Sequence, residues 1–193
     1  GSCGGAVLPL DPPWLANYLE VQKIIDDAET AVDSGAEFVI VSLHWGKAYT
    51  SEISTSQEEI ITKLLSSDSI DLIVGHGAHV IQPVLKVSNK YAVTGIGNFL
   101  SNQPGDERRL CSQCPKSTQD GMIAWFNISD LPDGNVGVTD AGYVPTWVDR
   151  RTFEIVPLGV DEPESVDPAV MSDSIARTRA VLEPGLRRLT FGD

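Results

Sequence analysis

The sequence has few basic residues, few cysteines and no apolar run of the roughly 20 residues that a membrane-spanning helix needs. Its 14 Lys and Arg face 27 Asp and Glu, and the resulting net charge of −13 disfavours nucleic acid and anionic membrane surfaces as partners. Three cysteines in 193 residues are too few for a disulfide scaffold. The remaining class is a globular protein whose ligand, if it is anionic, needs a local basic site.

Two of the three cysteines, Cys111 and Cys114, form a CxxC, whereas Cys3 stands alone. A zinc knuckle would need two further ligands nearby, and a thioredoxin-like motif would place the CxxC at the start of a helix. The surrounding RRLCSQCPKSTQDG has the composition of a loop. The sequence therefore favours a structural disulfide or two inert thiols, and an oxidised pair would indicate an exported protein.

Helical and strand patterns alternate in the first half of the chain. Apolar residues at helical spacing predict a helix over residues 14–32, and a Ser/Thr-capped segment predicts another over 54–67. Short β-branched runs at 38–43 and 70–75 predict buried parallel strands. This order is typical of an α/β domain with right-handed crossovers.

The second half has α+β character. The run VLKVSNKYAVTGIGNF predicts a hairpin that turns at Ser88 and Asn89, and three further strand patterns predict a mostly antiparallel sheet. Residues 101–120 form a long polar loop, in which function is a fair expectation. We therefore predict one domain over 1–160, followed over 161–193 by an acidic linker and a terminal helix.

All three histidines fall in one short part of the chain. His44 follows the first predicted strand, His76 follows the second, and His79 lies one Gly-Ala turn further on. If the strands are neighbours, their carboxyl ends lie about 5–10 Å apart at one edge of the sheet, where ligands of α/β proteins bind. Neutral imidazole is a common metal ligand, so the spacing predicts a catalytic site with one or two divalent metal ions. The alternative is that each histidine is a satisfied polar residue at a strand end.

A two-metal hydrolytic centre normally also uses bridging carboxylates or an amide. The first half of the chain has no strand that ends in Asp. Either further ligands come from sequence outside this chain, or the site is incomplete.

Other positions have two readings each. Asn98 follows a predicted strand, and it either faces the metal site or bonds its own backbone in a turn. Arg108, Arg109 and Lys116 either bind the carboxylates of an anionic substrate or pair with nearby acidic residues, namely Asp106, Glu107 and Asp120. Trp45 either walls the pocket or packs in the core. Gln82 is expected only to begin the next strand.

Three blocks, VIVSLHWG, VGHGAHVIQP and GIGNFLSNQ, resemble in order and spacing the landmarks of the bacterial capsule-synthesis (CapA-type, poly-γ-glutamate) family. The resemblance runs from about residue 12 to about residue 157 and includes YVPTWVDR. It implies that the chain is the carboxyl-terminal part of a metallophosphatase-like α/β/β/α sandwich. It also implies a partner, the amino-terminal half of the same domain, which carries a strand-end Asp and an Asn/His/Asp motif.

By this resemblance, His44, His76 and His79 are the metal-site positions. The chain departs from the family pattern at two places: Ala48 stands where an acidic residue is frequent, and Gly77 stands where a further histidine is frequent.

The resemblance implies a metal-dependent hydrolase that acts on cell-surface γ-glutamyl or phosphoester substrates. It places the full-length protein outside the cytoplasm, anchored to the membrane or secreted. The alternative is a non-catalytic component that binds and organises the polymer and its synthesis and export machinery, which the two departures favour. A third reading is that the chain does not fold alone, because one side of its sheet would be missing.

Overall fold

Two β-sheets and three helices make up the part of the chain that the computed structural model describes, which is residues 17–103, 111, 114–159, 166–183 and 185–189. The helices are α1 (Val21–Asp33), α2 (Thr55–Leu65) and α3 (Pro168–Leu182). Sheet A contains β1 (Ile40–His44), β2 (Leu72–His76), β3 (Ile81–Val87) and β4 (Lys90–Ile96). Sheet B contains β5 (Asp120–Asp130), β6 (Val136–Asp149), β7 (Glu154–Pro157) and the two-residue β8 (Arg187–Arg188). A single 3-10 turn, Lys116–Gln119, precedes β5.

Sheet A has the strand order β1-β2-β4-β3, in which β1, β2 and β4 are parallel and β3 is antiparallel to β4. The α/β class and the predicted hairpin are both confirmed, and the turn residue Ser88 has φ 57°. The hairpin does not begin a separate antiparallel sheet, however. Its second strand, β4, has a nearly continuous buried run and takes the central position beside β2.

The first helix begins later than the apolar spacing predicts. Residues 17–20 are not helical, and the side chain of Leu19, which fits the helical period, is exposed. Glu20 precedes α1 and makes no side-chain cap, so the sequence offers no capping signal that would mark this start. At α2 such a signal exists, because Ser54 and Gln57 form a capping box, and the helix begins where the sequence predicts.

Sheet A is covered on both faces over most of its width. The helices α1 and α2 pack on one face through a cluster that includes Ala28, Ile61, Leu64 and Ile73. On the other face, sheet B packs through a second cluster that includes Leu72, Val93, Met122, Tyr143 and Leu186.

The edge strand β1 is the exception to this coverage. Within the described residues only β2 pairs with it, and its side chains Ile40, Ser42 and His44 are exposed, Ile40 by 55%. These three alternate residues share one face of the strand. The described residues therefore leave this face of β1 exposed next to His44.

The antiparallel strands β5, β6 and β7 confirm the predicted second sheet, and β8 adds a short parallel pair to β6. The predicted terminal helix is α3, which ends at Leu182. Asp120, the first residue of β5, binds this helix through Ser174 and Arg177. The boundary at residue 160 stays a prediction. Among the described helices, none combines the length and the apolar character that a bilayer crossing requires.

Candidate metal centre

His44 and His76 are the last residues of two adjacent parallel strands, and they are direct partners in the register of β1 and β2. Adjacent strands lie about 4.8 Å apart, and residues in register point to the same face of a sheet. The predicted neighbourhood of the two strands is therefore confirmed, and it brings these two imidazoles together at the carboxyl edge of sheet A. The ring of His44 is exposed, whereas His76 is partly buried.

The surroundings of His76 favour its neutral form. Burial lowers the pKa of this imidazole below its ordinary value, and the nearby charge of His44 lowers it further. A neutral imidazole has a nitrogen lone pair, which is what metal coordination and general-base chemistry both require.

Gly77 makes room for the ring of His44. Its φ of +108° is one that glycine adopts readily, and a Cβ at this position would lie 3.0 Å from His44 Nε2 and 2.7 Å from the carbonyl oxygen of Trp45. A histidine at position 77, as the family frequently has, would therefore need a different backbone here or a displaced His44.

The side chain of His79 belongs to a closed ring of four residues. Its imidazole stacks on Tyr49 with the ring centroids 5.6 Å apart, and its Nδ1 lies 3.2 Å from Asn98 Oδ1. Asn98 Nδ2 donates to Gln103 Oε1, and Gln103 Nε2 donates back to the hydroxyl oxygen of Tyr49. Tyr49 and His79 both have left-handed backbones, with φ 66° and 61°, and such strained positions cluster at functional sites.

The hydrogen bonds of Asn98 assign the proton of His79. Asn98 Nδ2 also donates to the backbone carbonyl of Thr118 at 2.9 Å, and a carbonyl only accepts. The amide oxygen of Asn98 is therefore the atom that faces His79, so His79 Nδ1 carries a proton. In the neutral ring the lone pair is then on Nε2, as in metal-bound histidines whose other ring nitrogen donates to a neighbouring oxygen. Asn98 thus contacts His79, Gln103 and Thr118, and its position at a metal site stays a prediction.

Two buried glutamines, which the sequence analysis did not assign to the site, support the loop that carries Tyr49. Gln82 is fully buried, and its Nε2 donates to the carbonyls of Thr50 and Glu52. Gln57 Nε2 donates to Gln82 Oε1 at 3.2 Å. The sequence signal that could have identified them is Gln82 inside an otherwise apolar strand. A buried amide must find hydrogen-bond partners, so a glutamine at such a position indicates a polar contact in the core.

Trp45 packs in the core, which is one of the two positions that the sequence allowed for it. Its side chain is buried with α1 and α2, and its Nε1 donates to the carbonyl of Thr94 at 2.9 Å. Its backbone N–H donates to the carbonyl of His76 at 2.8 Å, so it also links the ends of β1 and β2.

Imidazole nitrogens suit a divalent metal, but the described residues bring too few ligands together to hold one. In the described ranges, no group of three or more His, Cys, Asp or Glu side chains is arranged to hold a metal ion. His44 and His76 are register partners, and His79 contacts Tyr49 and Asn98. The chain thus supplies a pair of imidazoles, and the three-histidine metal site stays a prediction.

The predicted substrate residues Arg108 and Arg109 lie outside the described residues, as does Cys3. Cys111 and Cys114 form a disulfide, with a Cα–Cα distance of 5.2 Å. Of the two readings of the CxxC, the structural disulfide is therefore the correct one.

The contacts of Asn98 predict the effect of its loss. Asn98→Ala should leave His79 Nδ1 without its acceptor, so the imidazole should change from the single Nδ1–H form to a mixture of tautomers. Nitrogen-15 NMR of the histidine rings measures this directly, and stability should fall by about 1–3 kcal/mol.

Asn89→Ala, in the exposed hairpin turn, is the matched control and should leave the ring signals unchanged. Wild-type spectra with the His79 proton on Nε2 would contradict the assignment.

Taken together, the fold is an α/β domain of the metallophosphatase-like class, with histidines at the carboxyl edge of its parallel strands. The chain belongs to the bacterial capsule synthesis protein family PGA_cap, which it matches over residues 6–103.

Two curated relatives carry related names. The chain is 31% identical over 97 residues to "PGA biosynthesis protein CapA" of Bacillus subtilis (strain 168), covering 50% of this chain and 23% of that protein. It is 31% identical over 81 residues to "Capsule biosynthesis protein CapA" of Bacillus anthracis, covering 42% of this chain and 20% of that protein. The chain thus aligns with less than a quarter of the length of either relative.

Proposed function

We propose that this chain is part of a capsule-biosynthesis protein, and that His44 and His76 are two ligands of a divalent-metal centre in a hydrolase-type enzyme. The observation that carries the proposal is the register pair of these histidines at the carboxyl edge of sheet A. The name of the Bacillus subtilis relative, a PGA biosynthesis protein, supports a poly-γ-glutamate or related γ-glutamyl substrate. A phosphoester is the other bond type that we propose.

The chain's own residues have separate tasks in this proposal. His76, whose pKa is lowered by burial and by the charge of His44, presents a lone pair at the centre in its neutral form. His79, whose Nδ1–H is engaged by Asn98, offers Nε2 as a further ligand or as the group that accepts and returns a proton. When bound, a divalent metal would activate water or polarise a carbonyl or phosphoryl oxygen.

The remaining ligands must come from outside the described residues. The open side of β1, next to His44, is a suitable position for a neighbouring segment that contributes carboxylates. We assign this role to the amino-terminal half of the domain, which the family resemblance implies. The Cys111–Cys114 disulfide supports an extracytoplasmic location, because such bonds persist in oxidising compartments.

The second candidate is a non-catalytic component that binds the polymer and organises its synthesis and export. Two observations favour it: the described residues contain no three-ligand metal group, and Ala48 and Gly77 replace residues that could have supplied ligands.

Elemental analysis of the purified full-length protein, with γ-glutamyl-amide and phosphoester assays, tests the enzyme proposal. We expect a stoichiometric divalent metal in the wild type and its loss in His76→Ala, together with loss of hydrolysis. Ser42→Ala is the matched control, because Ser42 lies on the same exposed face of β1 as His44 and should not affect the metal. Thermal melting verifies that His76→Ala remains folded.

A wild-type protein without metal, prepared without chelator at neutral pH, would refute the metal centre. Tight polymer binding that chelators do not change, without any hydrolysis, would favour the second candidate.

A further inference from the structure

A cavity lies between sheet B and α3. It has a volume of about 520 Å³, and residues from the 3-10 turn, from the end of β6 and from α3 line it. None of the three histidines lines this cavity, which we call the Arg150 cavity.

The Arg150 cavity concentrates positive charge in an acidic protein. Four of the chain's 14 basic residues line it, namely Lys116, Arg150, Arg151 and Arg177. Three of the chain's 27 acidic residues are also in the lining, which are Asp149, Asp167 and Asp173. Arg151 is paired with Asp149 and Arg177 with Asp120, so Arg150 and Lys116 are the cations that remain to attract an anionic ligand in a chain of net charge −13.

Two of these cations are already engaged. Arg151 makes a two-pronged contact with Asp149, and Arg177 makes another with Asp120. Within the described ranges, the structure shows no hydrogen bond or ion pair for the side chains of Arg150 and Lys116, although the charge of Arg150 acts on the nearby carboxylate of Asp149. The Nε–H of Arg150 is buried without an acceptor, which is costly for a guanidinium, whereas the residue as a whole is partly exposed at the cavity.

The lining also has an apolar part. Trp147 and Val166 are buried beside the cations, and Val170 is partly exposed at the start of α3. A ligand that combines carboxylates with short methylene segments would match both kinds of lining, because guanidinium groups bind carboxylates in a planar, two-pronged geometry.

The Arg150 cavity and the histidine centre share the 3-10 turn. Lys116 and Gln119 of this turn line the cavity, and the Thr118 carbonyl accepts the hydrogen bond from Asn98, which binds His79. The turn that lines the cavity is therefore also linked, through Asn98, to His79.

We propose that the Arg150 cavity is a binding subsite for the carboxylates of a γ-glutamyl chain, with Arg150 as the principal contact and Lys116 as the second. The proposal rests on the proposed function only for the choice of a γ-linked glutamate as the ligand. The choice of an anionic ligand follows from Arg150 and Lys116 in the lining.

Calorimetric titration of the purified protein with a short γ-glutamyl oligomer tests this subsite. Arg150→Met keeps the apolar stem and removes the cation, so the Kd should rise about tenfold or more. The melting temperature should stay the same or rise, because the buried donor without an acceptor is gone. Lys116→Gln should weaken binding by a smaller factor.

Arg179→Met is the matched control. It removes the same charge from α3, but Arg179 pairs with Glu183 at an exposed position and does not line the cavity. Its Kd should stay within about twofold of the wild type, because exposed pairs contribute little. A neutral oligomer, with its free carboxyl groups converted to amides, should bind far more weakly than the acid.

Three results would overturn the inference: no binding of the acidic oligomer to the wild type, equal binding to wild type and Arg150→Met, or equal binding of the neutral oligomer. His76→Ala separates this inference from the metal centre. Loss of oligomer binding in His76→Ala but not in Arg150→Met would place the ligand at the histidines and refute the cavity. Binding that depends on Arg150 in a protein without metal would support the cavity and refute the enzyme proposal.

Discussion

Asp120→Ala is expected to lower the free energy of unfolding by about 3 kcal/mol, which is at the lower end of the range for breaking a buried ion pair. The carboxylate of Asp120 is only 2% exposed, and it accepts two hydrogen bonds from Arg177 and one from Ser174. Its loss would leave a guanidinium without its partner. Because the side chain of Arg177 is 34% exposed, water would partly compensate, and the upper end of the range does not apply.

Chemical denaturation or thermal melting measures this loss, and roughly 6–12 °C in Tm is expected for a chain of this size. Asp140→Ala is the matched control, because Asp140 also pairs with an arginine, Arg187, but both partners are exposed. Its melting temperature should stay close to that of the wild type. Equal losses in the two variants would show that the Asp120 contact does not hold α3 to sheet B.

Gly75→Ala should be at least as damaging. A Cβ at position 75 would collide with the backbone carbonyl of Thr94 and lie 2.5 Å from Trp45 Nε1. These two atoms are the partners of a buried hydrogen bond that passes over the glycine. The methyl group would therefore break this bond and push β2 away from β4, at a combined cost of about 3 kcal/mol or more.

The displacement should reach the histidines, because Gly75 is adjacent to His76 and Trp45 is adjacent to His44. We therefore expect Gly75→Ala to lose both melting temperature and, in the full-length protein, bound metal. Gly134→Ala is the control: a Cβ there meets no atom within 4 Å, and only its φ of +88° adds a strain of about 1 kcal/mol. If the two variants lose the same stability, the close packing at Gly75 is refuted.

The parts of the fold that the sequence predicted are those that local patterns encode. Strands β1 and β2 are short β-branched runs, α2 has a capping box, and the hairpin turns at Ser88. Each of these signals is formed by residues that are close together in the sequence. The neighbourhood of His44 and His76 then follows from a rule about parallel strands, without any knowledge of distant contacts.

What the sequence could not predict depends on residues far apart in the chain. Gln103 and Tyr49 are 54 positions apart, and only the folded chain brings them into the ring that fixes His79. The central position of β4 is likewise a choice of strand pairing that apolar runs alone do not determine. The predicted start of α1 was wrong because the apolar periodicity extends to residues before Val21, and no capping residue in the sequence marks where the helix begins.

The edge of β1 that no described strand pairs with has a consequence for handling the protein. Unpaired strand edges with exposed apolar side chains such as Ile40 promote pairing between molecules, so this strand is the expected site of self-association and loss of solubility. The usual protection is a charged residue on the edge, but the exposed face of β1 carries only Ile40, Ser42 and His44. A lysine at position 40 would make the edge more soluble and leave His44 in place.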